Sequence, residues 1–475
     1  MKYKVVFLFI FLIDLKPIGF CADGPNITFI MADDLGYGDL SCYRARKILT
    51  PNIDRIAGEG TMFTDAHSPA AVCNPTHYAV LTGIYGWRSR LKKEVLWDGY
   101  RRCLIEPNRT TIGNMMKSKG YHTAQIGKWH LGWEDEEPVD YTKGYLGRGP
   151  KDLGFDYSFV TAVAHNLFPI TFVENHQVLA KEFKPIDYHI YEHGKKEIPR
   201  KCLEWHQTTD IGPSLIYFDW QPYLVDSIYT VKAFNFITEH LKNNQDQLFY
   251  LHLTPDAHHT PNNVPGFLKG SSQAGDRGDH TQMFDWMVGQ INEALHRLNI
   301  DKKTLLIITS DNGVTHAGVD EFGHKGWGKL KGRKGTRLEG CHRVPLIIKW
   351  DGFVQSSVKN NGLICLVDMM ATFSHIIGYE LGDNIGEDSF DVFTIITGKK
   401  KEIRESLVMN NYQGRFAIRK GKWKLVDEEL YILGTDLVEE NNVADKYPGI
   451  VKELKDLLRI QQAAGFTAKR SSLNL

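Results

Sequence analysis

The chain has no surplus charge: among its 475 residues Lys+Arg and Asp+Glu number 57 each. A formal net charge of zero argues against a protein held on nucleic acid or an anionic membrane by bulk electrostatics. There is no Gly-X-Y period, no Ser- or Gln-rich tract and no internal repeat, which sets aside collagen-like, low-complexity and solenoid architectures. After the N-terminal segment no apolar stretch reaches the about eighteen residues that a bilayer-spanning helix needs. Cysteine is sparse, seven residues at 21, 42, 73, 103, 202, 341 and 365 with neither CxxC nor Cys/His spacing, so a structural zinc site is not expected. What remains is an ordinary packed composition, 42% hydrophobic and 24% charged. Function must therefore reside in local sites.

Residues 1–23 open with Lys2 and Lys4, continue through nine apolar residues from Val5 to Ile13, and end with small Gly19 and Cys21. That is the pattern of a secretory leader, cleaved after Cys21 and too short to span a bilayer. It predicts a secreted or lysosomal protein with no membrane span. Six cysteines then remain, in a compartment that permits disulfides. Two glycosylation sequons occur, at Asn26 and Asn108. Asn26 opens an apolar strand and is expected to be buried, which makes Asn108 beside Pro107 the better acceptor.

Asn26–Ala32 (NITFIMA) and Thr304–Ser310 (TLLIITS) are apolar runs of buried-strand length, ending in Asp33-Asp34-Leu35-Gly36 and Asp311-Asn312-Gly313. Between them, helical patterning at 52–60, 75–82, 111–120 and 227–243 alternates with strand candidates at 122–126 and 248–253. This predicts an α/β fold: a large mixed, mostly parallel sheet sandwiched by helices. Past about residue 380 the pattern changes. Arg415–Val426 reads as two strands around a Lys420-Gly421 turn, Glu429–Leu433 as another, and 450–464 as a helix. The expected organisation is a leader at 1–21, a main domain at 22–380, and a C-terminal subdomain at 381–475 with a small antiparallel sheet plus helix.

Ligands of such sheets sit beyond the carboxyl ends of the strands, where both acidic pairs fall. Asp33, Asp34, Asp311 and Asn312 offer oxygen ligands suited to a hard divalent cation such as Ca²⁺ or Mg²⁺. Either pair alone marks an ordinary turn; together they point to a metal. Pro75 suits a helix's first turn, so Cys73 falls at a helix N-terminus, where a lowered pKa and reactivity are expected. Lys128 and His130 (GKWHLG), His259 (AHHTP) and Lys334 (GRKG) each place a cation or proton donor in a loop after a strand candidate.

In this order and at these separations the segments resemble the sulfatase family of the alkaline phosphatase superfamily, from Pro25 to about Leu458. The markers are DDLGYGDL (33–40), TPNIDRIAGEGTMFTDAH (50–67), CNPTHYAVLTG (73–83), GYHTAQIGKWHLG (120–132), TSDNG (309–313) and KGTRLEGCHRVPLI (334–347). The stretch from Cys73 to Leu96 is closer to arylsulfatase-type members than to heparan-sulfate-processing ones. The resemblance implies that a formylglycine-generating enzyme converts Cys73 to formylglycine, whose hydrate is the nucleophile. One Ca²⁺ would be held by Asp33, Asp34, Asp311 and Asn312 and would contact residue 73. Lys128 and Lys334 would bind sulfate oxygens, His130 would contact the geminal diol and act as base, and His259 with Lys334 would assist the leaving alcohol. The substrate class is a sulfated small molecule, steroid or glycan. Loops 134–150 and 164–211 would shape the pocket, with Trp133, His165, Phe168, Trp205 and His206 available to line it.

Two departures stand out. The family pattern is Cys-x-Pro-Ser/Thr-Arg, whereas this chain has His77 in place of the arginine. Histidine lacks the guanidinium fork and is largely neutral at pH 7. The alternative reading is therefore a catalytically impaired pseudo-sulfatase that binds sulfated ligands. Glu339-Gly340-Cys341 replaces the usual Glu-Gly-Gly and adds a disulfide candidate. A phosphoester hydrolase of the same superfamily is a weaker third reading, because those relatives use Ser or Thr and more histidines.

Overall fold

The computed structural model describes residues 24–180, 220–315 and 322–468, with the backbone of two short paired strands, Phe183–Pro185 and Leu215–Tyr217. The expected leader, Cys202, Trp205 and His206 lie outside the described residues.

Asn26–Ala32 and Thr304–Ser310 lie side by side as parallel strands in continuous register, from Asn26 opposite Thr304 to Ala32 opposite Ser310. Every residue of both is buried, which is why neither alternates: a parallel strand covered on both faces is apolar throughout. They lie near the middle of a ten-stranded sheet. Its order is Val358–Asn360, Thr61–Phe63, Leu346–Lys349, Thr304–Ser310, Asn26–Ala32, Phe249–Thr254, His122–Lys128, Tyr157–Thr161, Phe172–Glu174 and Gln177–Val178. The strands from Thr304–Ser310 through Tyr157–Thr161 run parallel, and antiparallel neighbours extend the sheet on both sides. Helices pack on it in two groups. Pro51–Glu59, Val225–Asn243 and Gly275–Arg297 form one; Cys73–Thr82, Ile112–Ser118 and Met369–Ile376 form the other.

The mixed sheet is as expected, but the individual flanking strands and the Gly275–Arg297 helix have no counterpart in the sequence reading. The flanking strands Thr61–Phe63 and Leu346–Lys349 are short, and short apolar runs do not separate strand from helix. The helix buries Arg277, Asp279, His280, Asp285 and Asn292 beside its apolar residues, which erases the amphipathic stripe.

A second sheet, Ser406–Asn410, Phe416–Lys420, Trp423–Val426 and Glu429–Ile432, is an antiparallel meander, and the helix Pro448–Ala463 packs on its strands. Leu407, Met409, Ile418, Leu425 and Leu430 form a second core together with Ala79 and Tyr85, so this sheet rests on the Cys73–Thr82 segment. A buried charge network ties the two parts. Lys424 Nζ donates to Glu339 Oε1 (2.9 Å) and to His342 Nε2 (2.9 Å) and meets Glu439 Oε1 at 2.8 Å. Arg419 grips Asp65 through both terminal nitrogens at 2.7 Å.

The five described cysteines, 42, 73, 103, 341 and 365, are unbonded. Cys341 is therefore no disulfide partner among the described residues. Its thiol donates to Ala71 O (3.5 Å), and burial pushes it up to about 12. Asn26 is buried and accepts a hydrogen bond from the Phe249 N–H (3.1 Å), which leaves no room for a glycan. Asn108 is exposed.

Replacing Lys424 by Met leaves Glu439 buried without its cation and Glu339 with Arg343 alone. The expected loss is about 3–5 kcal/mol of stability, read from urea denaturation of the wild-type and K424M proteins. A change below about 1 kcal/mol would show that the network does not hold the subdomain.

Candidate active site

Parallel register brings the two acidic pairs together. Because Ala32 faces Ser310, the residues that follow each strand emerge next to one another. The Asp311 N–H returns to Ala32 O (3.0 Å), and the Asp34 N–H donates to Asp311 Oδ1 (3.1 Å). Asp34 has a left-handed backbone, φ 59°, which is uncommon for a non-glycine residue. Asn312 Nδ2 donates to Asp34 Oδ1 (2.7 Å). Behind it, Arg277 donates to Asp34 O (3.0 Å) and forms an ion pair with Asp39.

Lys128 ends the strand two places away in the sheet, and its side chain reaches past the end of Phe249–Thr254 to put Nζ 2.5 Å from Asp33 Oδ2. The approach of those two strands requires Gly127, with φ 110° and a Cβ position 2.1 Å from Thr254 O. Lys334 Nζ sits 2.6 Å from Asp34 Oδ1 and 3.6 Å from Cys73 Sγ. Cys73 opens the helix Cys73–Thr82, as the position of Pro75 predicts. Ligand atoms of Asp33, Cys73 and Asp311 lie within 4.8 Å of one another.

Each acidic or amide side chain has one atom committed to the protein and one oxygen left over. Asp33 Oδ1, Asp34 Oδ2, Asp311 Oδ2 and Asn312 Oδ1 are buried and have no hydrogen-bond partner among the described residues. Buried polar atoms are rarely orphaned, and four oxygens at one spot form the donor set of a hard divalent cation. The residues present fit such an ion. A second cluster, His67, Glu339 and His342, does not: its atoms already bond one another, Asp65 and the Lys424 ammonium.

Burial raises Asp33 well above the usual carboxylate range; Lys128 opposes this and Asp311 adds to it. Burial also opposes charge on both lysines, yet Asp33 holds Lys128, and Asp34 holds Lys334, above the usual range. For Cys73 the expectation of a lowered pKa is corrected. Burial pushes the thiol up, against the pull of Lys128 and Lys334.

His130 has φ 56°, and its Nε2 faces Leu96 O at 2.8 Å. A carbonyl only accepts, so Nε2 carries the proton and Nδ1, buried and without a partner among the described residues, holds the lone pair. Burial and Lys128 keep this ring neutral. His259 Nδ1 donates to Thr260 O (2.8 Å), and burial with the charges of Lys334 and Lys128 keeps it neutral too. His77, pushed down by burial, lies with Nε2 3.8 Å from Asp311 Oδ2. Every candidate metal and catalytic residue read from the sequence thus falls in one neighbourhood. The proposed lining is corrected at Trp133. Trp133 is fully buried under Gly149 and does not line a pocket, and Phe168 lies in the main core. The sequence reading missed Arg277 and Asp256, buried charges that support the site from helix and loop; no local motif marks them.

A sulfatase family model matches residues 25–379. The chain is 32% identical to an N-acetylgalactosamine-6-O-sulfatase of Bacteroides thetaiotaomicron, over 91% of this chain and 92% of that protein. It is 30% identical to human arylsulfatase A, over 84% of this chain and 74% of that one. A solved structure from Bacteroides thetaiotaomicron, described under the metabolism of multiple glycosaminoglycans, superposes with a TM-score of 0.83 at 29% identity, covering 93% of this chain and 100% of that one. The chain belongs to the sulfatase family, the sulfuric ester hydrolases.

A divalent cation that binds the folded cluster and not the unfolded chain must raise the unfolding midpoint. At a free concentration one hundred times Kd the gain is about 2.7 kcal/mol. Differential scanning calorimetry should show that rise in the wild-type protein and none in Asp311→Ala. An equal rise in both would place the cation elsewhere.

Proposed function

We propose that the chain hydrolyses a sulfate monoester using a formylglycine made from Cys73 and a calcium ion held by Asp33, Asp34, Asp311 and Asn312. The observation that carries this reading is the meeting of four orphaned oxygens, Lys128, Lys334 and the Cys73 helix start at the tips of two neighbouring strands. Bound there, calcium would supply Lewis-acid polarisation of a sulfate oxygen. Lys128 and Lys334 are placed to hold the remaining sulfate oxygens as charge develops on them. His130, with its lone pair on Nδ1, is placed to accept a proton from the hydrated residue 73. His259 is neutral before substrate arrives, and an anionic ester beside it adds the opposite charge and lifts its pKa. It can then share with Lys334 the delivery of a proton to the leaving oxygen.

The N-terminal pattern and the exposed Asn108 sequon support a glycoprotein delivered to the secretory pathway, secreted or lysosomal. There it would meet a formylglycine-generating enzyme. Named relatives act on sugar, aryl and steryl sulfates, and each of these remains a candidate ester class here.

One observation favours a second reading, a pseudo-sulfatase that binds sulfated ligands without turnover. His77 is buried and neutral where the family pattern has a guanidinium. Loss of one such charge-assisted contact costs on the order of 10²–10³ in rate. Failure to convert Cys73 would remove the nucleophile altogether.

Mass spectrometry of the peptide carrying residue 73, from protein made in its own secretory pathway, separates the two readings. The hydrolase reading expects an aldehyde at residue 73, turnover of an aryl sulfate, and loss of that turnover in Cys73→Ala. A free thiol, with saturable sulfate binding and no turnover, would replace it with the second reading.

A further inference from the structure

We infer that His165, Trp97 and Tyr412 form a subsite for a sugar ring on the leaving-group side of the sulfate pocket. This deepens the proposed hydrolysis and rests on it, committing the ester to a glycan sulfate.

His165 is 3% exposed, and neither of its ring nitrogens has a hydrogen-bond partner among the described residues. Its ring meets that of His259 edge-on, with centroids 6.3 Å apart and planes at 87°. The residue is held from behind. Its N–H donates to Asp256 Oδ1 (3.1 Å), and Nδ1 lies 3.6 Å from the same oxygen. Asp256 is in turn fixed by the Tyr229 hydroxyl (3.3 Å) and, through its own N–H, by Asp226 Oδ1 (2.9 Å). A buried imidazole with unused hydrogen-bonding atoms is costly unless a polar group meets it. Here it stands one ring beyond the histidine placed at the leaving oxygen.

Trp97 is 43% exposed and follows Leu96, whose carbonyl seats His130 (2.8 Å) and whose N–H donates to Asn74 Oδ1 (3.3 Å). Tyr412 lies edge-on to it, with centroids 6.4 Å apart. Tyr412 also packs on Gly335, next to Lys334, where an added Cβ would come within 2.9 Å of its ring. The Gly99 N–H donates to Phe168 O (2.7 Å), which ties the Trp97 segment to the His165 segment. An aromatic pair and a histidine with unsatisfied nitrogens therefore flank the sulfate-binding lysine.

A pyranose matches both elements, with C–H faces for the indole and hydroxyls beside the ester for His165. A steroid or simple aryl sulfate carries no hydroxyl next to the ester and would leave His165 unsatisfied. That mismatch selects the sugar.

The test is equilibrium binding by titration calorimetry, in full-length Cys73→Ala protein with calcium present. It uses two ligands, a hexose 3-sulfate, whose 2- and 4-hydroxyls adjoin the ester, and inorganic sulfate, so that turnover is not needed. Adding Trp97→Ala or His165→Ala should weaken the sugar sulfate about tenfold each and leave inorganic sulfate unchanged, with His165→Asn recovering part of the loss. Unchanged sugar affinity in both variants would overturn the subsite. Equal weakening of both ligands would overturn it too, since the residues would then only support the pocket. If the parent protein binds neither ligand, the sulfatase reading beneath the inference fails as well.

Discussion

Charge balance at two strand tips governs the molecule. Asp33, Asp34 and Asp311 place three carboxylates against the ammonium groups of Lys128 and Lys334. With all three carboxylates ionised these groups carry one net negative charge in a buried setting, which protein interiors tolerate poorly, and the raised pKa of Asp33 is the sign of that strain. A divalent cation reverses the sign, and a singly charged sulfate monoester then completes neutrality. The same balance makes His77 consequential. With an arginine there, as in the family pattern, the centre would hold one more positive charge. The neutral histidine 3.8 Å from Asp311 shifts that burden onto the two lysines.

The rest of the fold keeps these charges in place. The in-register pairing of Asn26–Ala32 with Thr304–Ser310 fixes which oxygens converge, and Gly127 lets the Lys128 strand lie close enough to contribute. Arg277, reaching from a long helix, braces the Asp34 turn. The C-terminal sheet also contributes. Lys424 pins Glu339, five residues beyond Lys334, and the Cys73–Thr82 segment supplies Ala79 to the second core. Removing that sheet would be expected to loosen the Cys73–Thr82 helix and the Lys334 loop together.

Legibility in the sequence followed physical locality. Asn26–Ala32 and Thr304–Ser310 were readable to the residue, because buried parallel strands are unbroken apolar runs closed by Asp-Asp and Asp-Asn. Cys73 stood out at a helix start marked by Pro75, and Lys128, His130, His259 and Lys334 in glycine- or proline-marked segments, all resembling one family. The buried polar helix Gly275–Arg297 was not readable, since its charged residues face inward toward partners distant in sequence. Trp133 was misread for a related reason: an aromatic in a glycine-rich loop can turn into the core, and here it packs under Gly149. The Cys73 thiol was misjudged because helix position alone ignores its burial. The support of His165 by Asp256 and Tyr229 depends wholly on tertiary contacts.

The most direct test of the charge-balance account is a crystal structure of the protein grown with calcium. The account predicts a single ion within about 2.3–2.6 Å of oxygens from Asp33, Asp34, Asp311 and Asn312, adjacent to residue 73. Calcium bound elsewhere would contradict it, as would four oxygens closed on one another by proton-mediated hydrogen bonds with no ion between them.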